Sequence, residues 1–181
     1  MNRLNSAQAV LVVVDIQAKL LPVVHDYPLV LDNLRKIILG AQVLNIPILL
    51  TEQYPKGLGT TVEEIQSILN EYRPIVKQTF SCWQDLVFQE ALRRQKKQHV
   101  LICGIESHIC VYQTCLDLVE NGFDVFLLTD AVSSRTVENR MLALRNLEKA
   151  GILLTSVEMA LFEMLKDSSN PAFKQISRIV K

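Results

Sequence analysis

The chain has 181 residues, with 49% hydrophobic and 21% charged side chains, an ordinary globular composition that excludes a disordered chain. At about 150 residues per domain this length fits one domain, read here as residues 1–181. Nineteen Lys+Arg balance nineteen Asp+Glu, which argues against a nucleic-acid binder, a class marked by basic excess.

In chain order, Ala9 to Val14 is an unbroken apolar run ending at Asp15, the pattern of a strand buried on both faces. Pro28 to Leu44 carries a helical apolar stripe through Val30, Leu34, Ile37, Ile38 and Ala41. Ile46 to Thr51 reads as a second strand, and Thr61-Val62-Glu63-Glu64 has the capping-box form that opens a short helix. Ile75 to Lys77 is a brief third strand, followed by a helix over Asp85 to Lys97. His99 to Cys103 is the fourth strand, Ser107 to Glu120 a helix, and Val125 to Thr129 the fifth strand. Val137 to Ala150 is helical with Gly151 as its stop, and Ile152 to Val157 is the sixth strand. The tail is helical, interrupted near Ser168-Ser169-Asn170-Pro171. Strands alternating with helices predict an α/β fold with a parallel sheet covered on both faces.

No run is long enough for a membrane span: the longest uncharged stretch, Ile37 to Thr51, has 15 residues against about 20 required. The start of the chain lacks the form of a signal peptide. The four cysteines fit neither a disulfide framework nor a Cys-x-x-Cys pair. A cytoplasmic, reducing setting follows. The three histidines have no metal-ligand spacing, and no dinucleotide or Walker glycine loop is present. Neither a metal nor a cofactor is expected.

Parallel sheets gather their ligands at the carboxyl ends of the strands. Asp15, Lys77 and Cys110 fall there, after the first, third and fourth strands. Cys110 lies in the first turn of a predicted helix, where free N–H groups and the helix dipole favour a thiolate. Lys77 is expected to lower its pKa further, and Asp15 to take and return its proton. Free N–H groups at the Ile109–Cys110 turn suit a developing oxyanion. Each residue has a plainer reading: a cysteine in an apolar helix is usually core, a post-strand aspartate a turn residue, a lone lysine solvated. Cys103 and Cys115 look structural, and Cys82 is a candidate for the border of the pocket.

Three segments, Val13-Val14-Asp15-Ile16-Gln17, Lys77-Gln78-Thr79-Phe80-Ser81 and Gly104-Ile105-Glu106-Ser107-His108-Ile109-Cys110-Val111, resemble the isochorismatase-like cysteine hydrolases. The likeness continues through Thr129-Asp130-Ala131-Val132-Ser133-Ser134-Arg135, and Thr51 to Gly59 is similar to the short isochorismatase-domain-containing branch. It implies a Rossmann-like three-layer α/β/α sandwich with a six-stranded parallel sheet and a triad of Asp15, Lys77 and Cys110. It also implies a cis peptide at Ile105–Glu106 and association into a homo-oligomer. Isochorismatases proper lack the thiol, so Cys110 points to the C–N hydrolases. Nicotinamidases carry an Asp-x-His metal pair where this chain has Glu52-Gln53-Tyr54-Pro55.

The expected function is cleavage of a small amide, carbamoyl or imide compound, with Gln17, Gln53, Phe80, Ile105, Glu106 and Ile109 contacting substrate. The competing readings are a hydrolase of a thioester or vinyl ether on the same fold, and a non-catalytic binding protein that keeps the pocket.

Overall fold

The first strand, β1 (Ala9–Val14), is buried along its whole length. Alternate side chains enter different cores. Leu11 and Val13 pack with α1 (Tyr27–Val43), α7 (Val157–Leu165) and α8 (Phe173–Ile179). Val10, Val12 and Val14 pack on the other face with α4 (Leu86–Gln95), α5 (Cys110–Glu120) and α6 (Val137–Lys149). This is the three-layer α/β/α arrangement, and it explains why the strand carries no polar alternation. The computed structural model describes residues 3–181.

The remaining strands are β2 (Ile48–Gln53), β3 (Ile75–Lys77), β4 (His99–Ile105), β5 (Asp124–Ser133) and β6 (Leu153–Thr155). Among the described residues they form one six-stranded sheet in the order β3-β2-β1-β4-β5-β6, with every pairing parallel. The order reverses between β1 and β4. The loops leaving those two strands therefore diverge to opposite faces, and the crevice between them is where such folds bind ligands.

Several boundaries differ from the sequence expectation. The second strand starts at Ile48 because Ile46 and Pro47 close the preceding helix: Ile46 N–H donates to the Ala41 carbonyl at 2.8 Å, behind a left-handed Asn45. The capping box does not form. The short helix α3 (Glu63–Gln66) follows Val62 with no side-chain cap, because the Thr61 hydroxyl donates to Glu52 instead, at 2.8 Å. An unforeseen turn of helix, α2 (Pro55–Leu58), follows β2. β5 runs past Asp130, whose charge broke the apolar pattern; its carboxylate accepts from the Val157 N–H at the start of α7, at 2.9 Å. α5 begins at Cys110 rather than Ser107.

Candidate active site

Asp15 leaves β1 in a left-handed conformation, φ 53°. That is an uncommon state for a residue with a Cβ, and its side chain is fully buried. Gly104, in β4 beside it, makes the close approach of the two strands possible. A Cβ there would sit 2.2 Å from the Val14 carbonyl oxygen, and its φ of +122° favours glycine in any case.

Both carboxylate oxygens of Asp15 are engaged. Lys77 Nζ donates to Oδ2 at 2.7 Å, and the Thr51 hydroxyl donates to Oδ1 at 2.7 Å. Lys77 ends β3 and also donates to Gln53 Oε1 at 2.8 Å and to the carbonyls of Thr79 and Phe80 at 3.2 Å. Burial alone would lower the Lys77 pKa, but the Asp15 charge and hydrogen bond, with the neighbouring thiols, outweigh it and hold the ammonium above its ordinary value. A buried cation without such partners would be costly.

Cys110 is the first residue of α5 and is buried. Its thiol pKa is raised, first by burial, then by the charge of Asp15, which also hydrogen-bonds it; Lys77 opposes the shift. The expected lowering of the thiol pKa is not found: burial and the Asp15 charge together exceed the pull of Lys77, so the thiol sits above its ordinary value beside the Asp15–Lys77 ion pair. The N–H groups of Ile109 and Val111 donate to the Glu106 carbonyl at 3.1 and 3.2 Å. Among the described residues, no acceptor meets the N–H of Glu106 or of Cys110. The peptide between Ile105 and Glu106 is cis, as the resemblance implied.

The other candidate residues have definite places. Gln17 is buried, its amide tied to the backbone of the β2 loop: it donates to the Gln53 and Gly59 carbonyls at 3.0 and 2.5 Å and accepts from Gln53 N–H at 2.8 Å. Gln53 reaches Lys77 with one end and the Gln78 carbonyl with the other, at 2.7 Å. The Phe80 side chain is exposed while its carbonyl holds Lys77. Ile105 is fully buried, Ile109 is half-buried, and Glu106 is buried in a two-pronged pair with Arg135, at 2.9 and 3.2 Å. His108 meets the Ser134 hydroxyl at 2.9 Å. Cys82 lies behind the site, fully buried, its thiol pushed up to about 11, chiefly by burial.

Sequence reasoning gave no role to Thr51 or Arg135 and did not foresee what Glu52 holds. Glu52 Oε1 accepts from the Thr61 N–H at 2.7 Å, from its hydroxyl, and from Tyr72. That clamp holds the segment that pairs with the Asp15 loop, where Val62 N–H donates to the Ile16 carbonyl at 2.9 Å. Nothing local in the sequence marks these partners, which meet only through the fold. Among the described residues no group of three His, Cys, Asp or Glu side chains is placed to hold a metal ion, and no helix is long and apolar enough to cross a membrane.

The all-parallel doubly wound sheet, with Asp15 and Cys110 at its switch point and Lys77 reaching Asp15 from β3, has the architecture of the isochorismatase-like hydrolases. The isochorismatase domain model matches residues 9–159, and the chain belongs to that family. It is 38% identical over its whole length to a secreted isochorismatase effector of Phytophthora sojae, covering 88% of that protein. It is 36% identical to isochorismatase domain-containing protein 2 of Danio rerio, covering 98% of this chain and 89% of the relative. Among solved structures, a MAR1 ribonuclease from Caenorhabditis elegans matches with TM-score 0.93 at 37% identity, over 99% of this chain and 92% of that one. The YcaC gene product of Escherichia coli, described as an octameric hydrolase of unknown specificity, matches with TM-score 0.93 at 26% identity, over 99% and 89%.

Proposed function

We propose that the protein is a cysteine hydrolase that cleaves a small amide, carbamoyl or imide-type C–N bond. The observation that carries this reading is the placement of the Cys110 thiol at the first turn of α5, beside an ion-paired carboxylate and next to backbone N–H groups without acceptors. As Cys110 Sγ attacks the carbonyl carbon, its proton passes to Asp15 and an S–C bond forms. The carbonyl oxygen becomes an oxyanion facing the N–H of Cys110, with that of Glu106 as a second donor. Asp15 returns the proton to the nitrogen as the C–N bond breaks and the amine leaves. Water then attacks the thioester, giving a proton to Asp15; the acid departs and the thiol is restored. Lys77 stays protonated throughout, and its charge stabilises the thiolate-like sulfur in each transition state.

Gln53, Phe80, Ile105, Glu106 and Ile109 form the substrate-contacting set in this reading. Gln17 belongs with them as a positioning residue, because its amide is engaged by the β2 loop. A small neutral substrate fits a site whose charges are internally paired, Asp15 with Lys77 and Glu106 with Arg135. Zero net charge favours such a substrate over a nucleic acid. We place the protein in the reducing cytoplasm, supported by four free cysteines, and infer a homo-oligomer, supported by the octameric neighbour.

A panel of small amides, ureides and carbamoyl compounds, assayed for ammonia release, tests the reading. At least one compound should release ammonia with the wild-type protein and not with Cys110→Ala. Release that survives in Cys110→Ala removes the nucleophile. Hydrolysis confined to thioesters or vinyl ethers removes the C–N assignment, and binding without any turnover makes this a binding protein.

A further inference from the structure

Behind Asp15 stands a second polar chain that the hydrolytic steps do not use. The Cys82 thiol donates to Thr51 Oγ1 at 3.8 Å, and the Thr51 hydroxyl donates to Asp15 Oδ1 at 2.7 Å. All three side chains are fully buried and come from different parts of the chain: the end of β1, the middle of β2 and the loop that enters α4. A hydroxyl has one proton and can point it in only one direction. We propose that Thr51 is the positioning residue for the Asp15 carboxylate, and that Cys82 is the residue that fixes which way Thr51 points.

The argument is one of donor accounting. Asp15 accepts on Oδ2 from Lys77 and on Oδ1 from Thr51, so its carboxylate plane is held at both ends while it faces Cys110. Had Thr51 been free to rotate, its hydroxyl could offer Asp15 a lone pair, which an anion rejects. A donor on Oγ1 removes that alternative. Cys82 suits the task because its burial keeps it protonated, and hence a donor, through the neutral range. Its own backbone N–H is fixed to the Thr114 hydroxyl at 2.9 Å, which anchors the loop to α5. The relay therefore ties β3–α4, β2 and β1 to one orientation of the proton carrier.

The inference rests on the reading of Asp15 as proton carrier, and its test needs no identified substrate. Two probes of Cys110 differ in what they demand. Iodoacetamide needs only removal of the thiol proton, to Asp15 or water: an S–C bond forms, iodide leaves, and no proton is returned to the adduct. Acrylamide needs a shuttle: sulfur bonds to the β-carbon, the thiol proton goes to Asp15, and a proton is returned to the α-carbon. The ratio of the acrylamide rate to the iodoacetamide rate at pH 7, with adducts mapped to Cys110, reads Asp15 placement. Thr51→Val should lower this ratio about tenfold, the order expected for losing a hydrogen bond to a charged group. Thr51→Ser should restore it to within about twofold. Cys82→Ala should lower it about threefold alone and not at all in the Thr51→Val background, because it acts through that hydroxyl. Melting temperatures identify variants that fail to fold; should Thr51→Val be one, Thr51→Ala, which also lacks the hydroxyl, takes its place beside Thr51→Ser.

A wild-type ratio in folded Thr51→Val overturns the proposal, as does a Cys82→Ala effect that persists in Thr51→Val. If the ratios move as stated while no panel amide releases ammonia, the hydrolase reading fails and the relay stands. If amides are hydrolysed and the ratios stay flat, the reverse holds.

Discussion

At Cys110 the competing influences have opposite signs and can be separated by single substitutions. Burial and the Asp15 charge raise the thiol pKa, and Lys77 lowers it. Lys77→Ala should therefore move the pH midpoint of Cys110 alkylation upward, and Asp15→Asn should move it downward while hydrolysis falls by about 10²-fold or more for want of a shuttle. Shifts in one common direction would show that neither group acts on the sulfur as assigned. Gly104 gives a second test at this scale. A methyl group there meets the Val14 carbonyl oxygen in backbone that cannot step aside, at a φ unfavourable for alanine. Gly104→Ala should lose about 2–4 kcal/mol of stability in denaturant unfolding; a loss below about 1 kcal/mol would mean that β4 and β1 part easily.

Between residues and the whole lie the elements whose ends carry the site. Asp85 caps α4, its carboxylate accepting from the N–H groups of Val87 and Phe88 at 2.9 and 3.0 Å. Asp85→Ala should cost about 1 kcal/mol, seen as a lower unfolding midpoint with Cys110 alkylation unchanged. The loop after β2 is held by Glu52; burial first, then the hydrogen bond and charge of Glu52, push the Tyr72 phenol up to about 12. Because the folded value lies above the ordinary tyrosine value of about 10, this interaction contributes stability below pH 10 that is lost as pH rises toward 12. Spectrophotometric titration should show a tyrosine step near pH 12, and Tyr72→Phe should abolish it. These elements were legible where the signal is local. The apolar run ending at Asp15 marked β1, and the short run ending at Lys77 marked β3, so two strand ends and their polar residues could be read directly. The failures were non-local: Thr61 looked like a helix cap until Glu52, nine residues back in sequence, claimed its donors. Thr51 gave no signal, because its meaning depends on Asp15 and Cys82, both distant in the chain. The expected lowering of the Cys110 pKa failed for another reason: a helix position says nothing about how deeply a sulfur is buried.

On the scale of the molecule, β1 and β4 lie side by side at the point where the strand order reverses, and the thiol and the carboxylate come to the same crevice for that reason. The other three cysteines serve as internal controls, since Cys82, Cys103 and Cys115 are fully buried within the cores, with thiols raised chiefly by burial. Only Cys110 combines a place at the crevice with a neighbouring proton acceptor. Competitive labelling by a limited amount of iodoacetamide near neutral pH, followed by peptide mass mapping, compares all four in one sample of native protein. The account predicts that Cys110 is alkylated first and that the other three react only on unfolding. Equal, slow labelling of all four would contradict an activated nucleophile at the switch point.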